Sequence, residues 1–201
     1  GNPPINGKSG EIKFLVDVKK DRKPTILEDG SVNYRELDLI ENVHKGQKLV
    51  ETIPPTFGIP GTNIMGKELK PIDGKPAKLA KGRNVFVHEE SQSMFAEIDG
   101  QVQFHDGKIG VFATYEVPAD VDNSTGNIKF VGNVTIRGSV LSGFSIEAGG
   151  NVEVSGVVEG AVIRAEGDII LRRGMHGGNK GQLIAGGDIV SKYIERSTVE
   201  A

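Results

Sequence analysis

From Gly126 onward the sequence repeats itself, and a chain with a short repeat can bury its apolar side chains only by stacking like units on one another. Three segments align without gaps at their centres: Ile146 to Val154, Ile163 to Leu171 and Leu183 to Ile189. An earlier copy begins at Gly132 and a half-copy at Gly126. The glycines at 132, 150, 167 and 187 lie 18, 17 and 20 residues apart, the length of one coil of a single-stranded parallel β-helix.

The physics of such a coil accounts for the residue types. Short strands lie against the coils on either side and send alternate side chains into a narrow core. The expected core is therefore Val134, Ile136, Ile146, Val152, Val154, Ile163, Ile169, Leu171, Leu183 and Ile189. Each such side chain, fully buried, contributes roughly 1.5–3 kcal/mol. Ala148, Ala165 and Ala185 form a column of small residues where the core narrows. Glycine at the corners supplies backbone angles that a side chain would resist. Asn133, Asn151, Asp168 and Asp188 follow those corners and can bond backbone groups nearby or stack from coil to coil.

The first part of the chain is written differently. All nine prolines lie at or before Pro118. Five Asx-Gly pairs, at Asn6, Asp29, Asp73, Asp99 and Asp106, predict tight antiparallel hairpins. Apolar residues alternate through Ile12, Phe14, Val16 and Val18, again at Val85 and Val87, and on through Phe104, Ile109 and Val111. A single helical turn near Tyr34 to Leu39 is the only helix expected. The reading is an all-β protein: an N-terminal domain of antiparallel hairpins over residues 1–117, then a parallel β-helix over 118–201.

Composition removes several function classes. The absence of cysteine excludes disulfides, thiolate zinc sites and thiol nucleophiles. Lys and Arg number 24 against 27 Asp and Glu, so the chain lacks the basic excess that nucleic-acid binding needs. No apolar run approaches the roughly 20 residues that span a bilayer, and no signal pattern opens the chain. A cytoplasmic protein without membrane insertion is expected.

No motif assembles a catalytic or metal site. Gly61 to Lys67 approaches a phosphate-binding loop, but Glu68 stands where the magnesium-binding hydroxyl belongs, so the segment reads as a turn between strands. Asp120, Asp122 and Ser124 have the opening spacing of a calcium loop, yet its glycine and its bidentate glutamate are missing, and the segment reads as a polar entrance to the solenoid. The four histidines are scattered. The 20-residue interval holds the run from Gly174 to Gly181, which predicts a loop bulging from the coil. Arg172, Arg173, His176 and Lys180 are the one basic cluster of the solenoid. They make the loop a candidate for binding an anionic ligand or a partner, or, with His176 as general base, for acyl transfer like that of hexapeptide-repeat solenoid enzymes. No cofactor is expected.

The segment Val117 to Val140, with Val121-Asp122, Thr125-Gly126-Asn127-Ile128, Phe130, Gly132, Val134, Ile136 and Gly138, resembles the flagellar assembly protein A family. Asp29 to Leu37, Asn42 to Gln47, Gly58 to Gly66, Gly82 to Val85 and Ala96 to Gly100 carry the same resemblance into the first part. It implies a right-handed solenoid similar to that of the bactofilins, and a role in flagellar assembly or polar organisation through protein contacts. It supplies no catalytic residue. Family members are usually longer, so the chain is expected to be an excised piece. The leading expectation is a non-enzymatic scaffold with flagellar or cell-pole partners, and with homodimerisation through an open solenoid end.

Overall fold

The computed structural model describes residues 1–18 and 40–201, with the short antiparallel strands Thr25–Ile26 and Val32–Asn33 between them. The expected helical turn at 34–39 and the Asp29-Gly30 turn lie outside the described residues. Every regular element among the described residues is a strand. The chain divides into two compact units: residues 1–18, 45–97 and 103–110 form one, and residues 19–44, 98–102 and 111–201 the other.

The first unit is built on an antiparallel sheet in the order Glu11–Phe14, Lys48–Ile53, Met94–Ala96 and Val85–Val87. Its strands bury Leu49, Val50, Val85, Met94 and Ala96, and Val16, two residues past the first strand, is buried too. Asp106 and Gly107 make a tight turn with φ of 50° and 72°, as an Asx-Gly hairpin requires. Other Asx-Gly pairs differ from expectation. Asn6-Gly7 and Asp73-Gly74 are not hairpin turns, and neither glycine is left-handed. Residues 1–10 instead thread between two other segments: Thr56 N–H bonds to Lys8 O at 2.9 Å and Gly7 N–H to Ile72 O at 2.8 Å. A Cβ on Gly7 would collide with the Thr56 carbonyl, and one on Gly74 with the Lys8 carbonyl, so glycine is needed here for backbone approach.

The second unit is the solenoid, whose five coils build two five-stranded parallel sheets. One runs Thr114–Val117, Asn133–Ile136, Val152–Val154, Ile169–Leu171, Ile189–Ser191; the other runs Ile128–Phe130, Ser145–Ala148, Val162–Ala165, Met175–Ala185, Ile194–Glu200. A third side consists of single bridges that align Val121, Val140, Val158 and Met175, all fully buried. Registers are strict: Val134, Val152, Ile169 and Ile189 face one another in one column, and Ile128, Ile146, Ile163 and Leu183 in another. Nine of the ten core residues named from the sequence are buried. Ile189 is half-buried, because its strand closes the sheet and has a neighbour on one side only.

A polar ladder runs up one corner. Asn133 Oδ1 accepts from Asn151 N–H, Asn151 Oδ1 from Asp168 N–H, and Asp168 Oδ1 from Asp188 N–H, each at 2.8 Å. The oxygens fill the space beside the next coil's glycine: a Cβ at Gly167 would sit on Asn151 Oδ1. The corner glycines 132, 150, 167 and 187 have no positive φ: Gly150, Gly167 and Gly187 make room for the ladder oxygens and Gly132 for the Ala113 carbonyl, and none supplies a special backbone angle.

Candidate functional site

The basic loop is where the sequence places it, as a bulge. Met175 pairs with Ile194 and His176 with Glu195, after which Gly181 pairs with Ser197, so residues 177–180 stand opposite Arg196 alone. Gly178 and Asn179 turn the bulge with φ of 56° and 66°. Arg172, Arg173, His176 and Lys180 are all exposed. Arg172 Nε donates to Glu153 Oε1 at 2.7 Å, one coil back, whereas His176 Nδ1 lies 3.2 Å from Glu195 Oε2, one coil on. The Arg173 carbonyl accepts from Lys192 N–H at 3.2 Å. Two of the four side chains are thus drawn in opposite directions along the solenoid, and none lines either large groove of the molecule.

The two near-motifs are turns. Gly61–Thr62 and Glu68–Leu69 form an antiparallel hairpin, closed by Asn63 Oδ1, which accepts from Met65 N–H at 2.9 Å and Lys67 N–H at 2.8 Å. Asp120 Oδ1 accepts from Ser139 N–H at 2.7 Å, one coil on. Asp122 Oδ1 accepts from the Ser124 hydroxyl at 2.7 Å and from its N–H at 2.8 Å. Those bonds hold the Asp122 carboxyl below its ordinary value of 3.8, the hydroxyl contributing most. Among the described residues, no three His, Asp or Glu side chains gather as a metal site would need.

A feature with the dimensions of a binding surface lies on the second solenoid sheet. Its outward column runs Lys129, Glu147, Arg164, Ile184 and Glu200 in register, alternating with the inward positions. Beside it the corner positions Val131, Gly149, Glu166 and Gly186 alternate between a side chain and none. The result is a groove of about 610 Å³ lined by Lys129, Glu147, Arg164, Glu166 and Ile184 together with Val131 and Gly149. Lys129 Nζ lies 3.4 Å from Glu147 Oε2, an exposed pair of small energetic weight.

Asn42 closes the groove at the first coil. Its Nδ2 donates to Lys129 O at 3.0 Å and its Oδ1 accepts from Val131 N–H at 3.1 Å, so one carboxamide imitates the two backbone groups of a neighbouring strand. Ile40, two residues earlier, is buried in the solenoid core. The edge of the strand Ile128–Phe130 is therefore not bare. Nothing in local spacing singles out Asn42, since its partners lie 87 and 89 residues away.

Comparison with protein families matches residues 1–107 to the Flagellar Assembly Protein A N-terminal region and residues 113–201 to the Flagellar Assembly Protein A beta solenoid domain. The chain belongs to the Flagellar Assembly Protein A family. No curated protein and no solved structure matches it. The family's solenoid match spans all five coils, the groove and the 177–180 bulge, and its N-terminal match includes Asn42 and the Gly61–Leu69 hairpin. The membership assigns the chain to flagellar assembly. No helix among the described residues is long and apolar enough to cross a membrane.

Proposed function

We propose that this Flagellar Assembly Protein A chain is a non-enzymatic scaffold whose solenoid holds a protein partner of the flagellar or cell-pole machinery along the groove of its second sheet. The observation that carries this reading is the in-register outward column of Lys129, Glu147, Arg164 and Ile184 on a rigid parallel sheet. Such a surface suits an extended or flat polypeptide, because it offers both charge signs and an apolar position at fixed spacing. Its backbone is bonded from coil to coil and leaves the outward side chains to supply recognition. The basic loop contributes less to this reading, since Arg172 and His176 are already engaged with Glu153 and Glu195.

The test is affinity capture from a flagellated cell with the intact chain and with a Glu147→Lys, Arg164→Glu double variant, the bound proteins being identified by mass spectrometry. Both side chains face solvent, so the melting curve should be unchanged while flagellar or cell-pole partners are lost. Retention of the same partners at the same yield by the variant would refute the groove assignment.

A further inference from the structure

The hairpin Gly61–Thr62 and Glu68–Leu69 in the first unit carries an apolar tip that nothing covers. Ile64 is 93% exposed and Met65 87%, higher than any other large apolar side chain among the described residues except Phe57, which equals Met65. The turn is not loose. Asn63 Oδ1 bonds two backbone N–H groups, Asn63 N–H bonds to Lys67 O at 2.9 Å, and Gly66 takes a φ of 77°. Two apolar side chains are therefore held out into water by a built turn. Keeping them there forgoes burial on the order of a core residue each, which is the mark of a surface awaiting an interaction.

The charges of the hairpin and of the segments that continue from it say of what kind. Residues 1–10 and 54–81 contain six lysines, at 8, 67, 70, 75, 78 and 81, against two carboxylates, Glu68 and Asp73, in a chain whose net charge is −3. All six lysines are exposed, and none is paired with a carboxylate among the described residues. Asp73 is occupied, accepting from Gly58 N–H at 2.8 Å. Lys67 and Lys70 follow directly on the tip. An apolar tip flanked by Lys67 and Lys70, on a ribbon with an excess of lysine, matches an interface whose outer layer is anionic and whose inner layer is apolar.

We propose that the Ile64–Met65 tip docks this protein on the surface of an anionic lipid bilayer, the two side chains entering the headgroup and upper acyl region while Lys67 and Lys70 meet the phosphates. This is peripheral attachment, which needs no spanning segment. It is independent of the groove on the solenoid, which it leaves free for a protein partner.

The experiment is co-sedimentation of the full chain with vesicles of phosphatidylcholine alone and of phosphatidylcholine containing about a third phosphatidylserine. Binding is expected to the anionic vesicles only, and to be lost at high salt. Ile64→Ser with Met65→Ser should lower the partition coefficient about tenfold or more, and Lys67→Gln with Lys70→Gln should lower it severalfold. All four positions are exposed, so circular dichroism should show unaltered folding. Absence of binding, equal binding to neutral vesicles, or full binding by the tip variant would each overturn the proposal. A vesicle-free change of molecular mass in the tip variant, with vesicle binding intact, would assign the tip to contact between copies and overturn it too.

Discussion

The corner ladder makes a prediction that the core alone would not. Gly167 faces Asn151 Oδ1, and that oxygen accepts from Asp168 N–H at 2.8 Å. In a Gly167→Ala variant the new methyl and the oxygen cannot both stay. Either the bond is surrendered, at about 0.5–1.5 kcal/mol, or the coils part, at the roughly 1–3 kcal/mol typical of overpacking. Asn151→Ala alone removes the same bond at about 0.5–1.5 kcal/mol. In the double variant the oxygen is already gone, and the nearest remaining atom to the methyl is the Gly150 carbonyl carbon at 3.3 Å, a close contact that a shift of a few tenths of an ångström relieves. Alanine then returns about 0.4–1 kcal/mol by restricting the unfolded chain. The double variant should be at least as stable as Asn151→Ala, with an interaction energy of about 1–2 kcal/mol. Urea unfolding of the four proteins, followed by far-ultraviolet circular dichroism, measures it. Two substitutions that add within about 0.5 kcal/mol would show that the glycine and the amide do not share one space.

Two further outcomes test the core and the entrance to the solenoid. Val152 is fully buried between Val134 and Ile169, so Val152→Lys buries an unpaired ammonium at a cost of several kcal/mol; a melting curve like that of the parent would mean the register is wrong. The Asp122 carboxyl titrates below 3.8 in the folded protein, so its contribution to stability is present above that value and is lost as pH falls through the lower folded one. Ser124→Ala removes the largest cause of the depression, and carbon-detected magnetic resonance should find the Asp122 pKa moved up toward 3.8; an unchanged titration would refute the assignment.

What the sequence disclosed and what it concealed divide along physical lines. Core columns are legible because the same constraint acts once per coil, and it recurs at Ile146, Ile163 and Leu183 with intervals of 17 and 20 residues. The longer interval is legible as a bulge because glycines crowd into it, at 174, 177, 178 and 181. The purpose of a glycine is not legible: Gly7, Gly74 and Gly150 read as turns or corners, whereas what each avoids is an atom from a distant segment or from the next coil. Asn42 is hidden for the same reason, being defined by a strand edge nearly ninety residues away. The groove is hidden because Lys129, Glu147 and Arg164 look like any solvated face until the register sets them in one column.

The solenoid's polar residues fall into two groups, and the division bears on where function can reside. Asn42, Asp120, Asn127, Asn133, Ser139, Asn151 and Asp168 direct a side-chain oxygen at a backbone N–H in another segment or coil. These are the short Asn, Asp and Ser side chains that serve elsewhere as metal or phosphate ligands, and here they are already bonded into the corners. Recruiting one of them to a ligand would release an N–H of the coil and cost part of the fold. The longer Lys, Glu and Arg side chains of the outward columns are not so bound. Lys129 and Glu147 can exchange their mutual pair for a partner's groups at little expense, because an exposed pair is worth so little. The fold therefore commits its short polar side chains to its own backbone and leaves long charged ones free, and that is the physical ground for proposing a partner along the outward column and not at the corners.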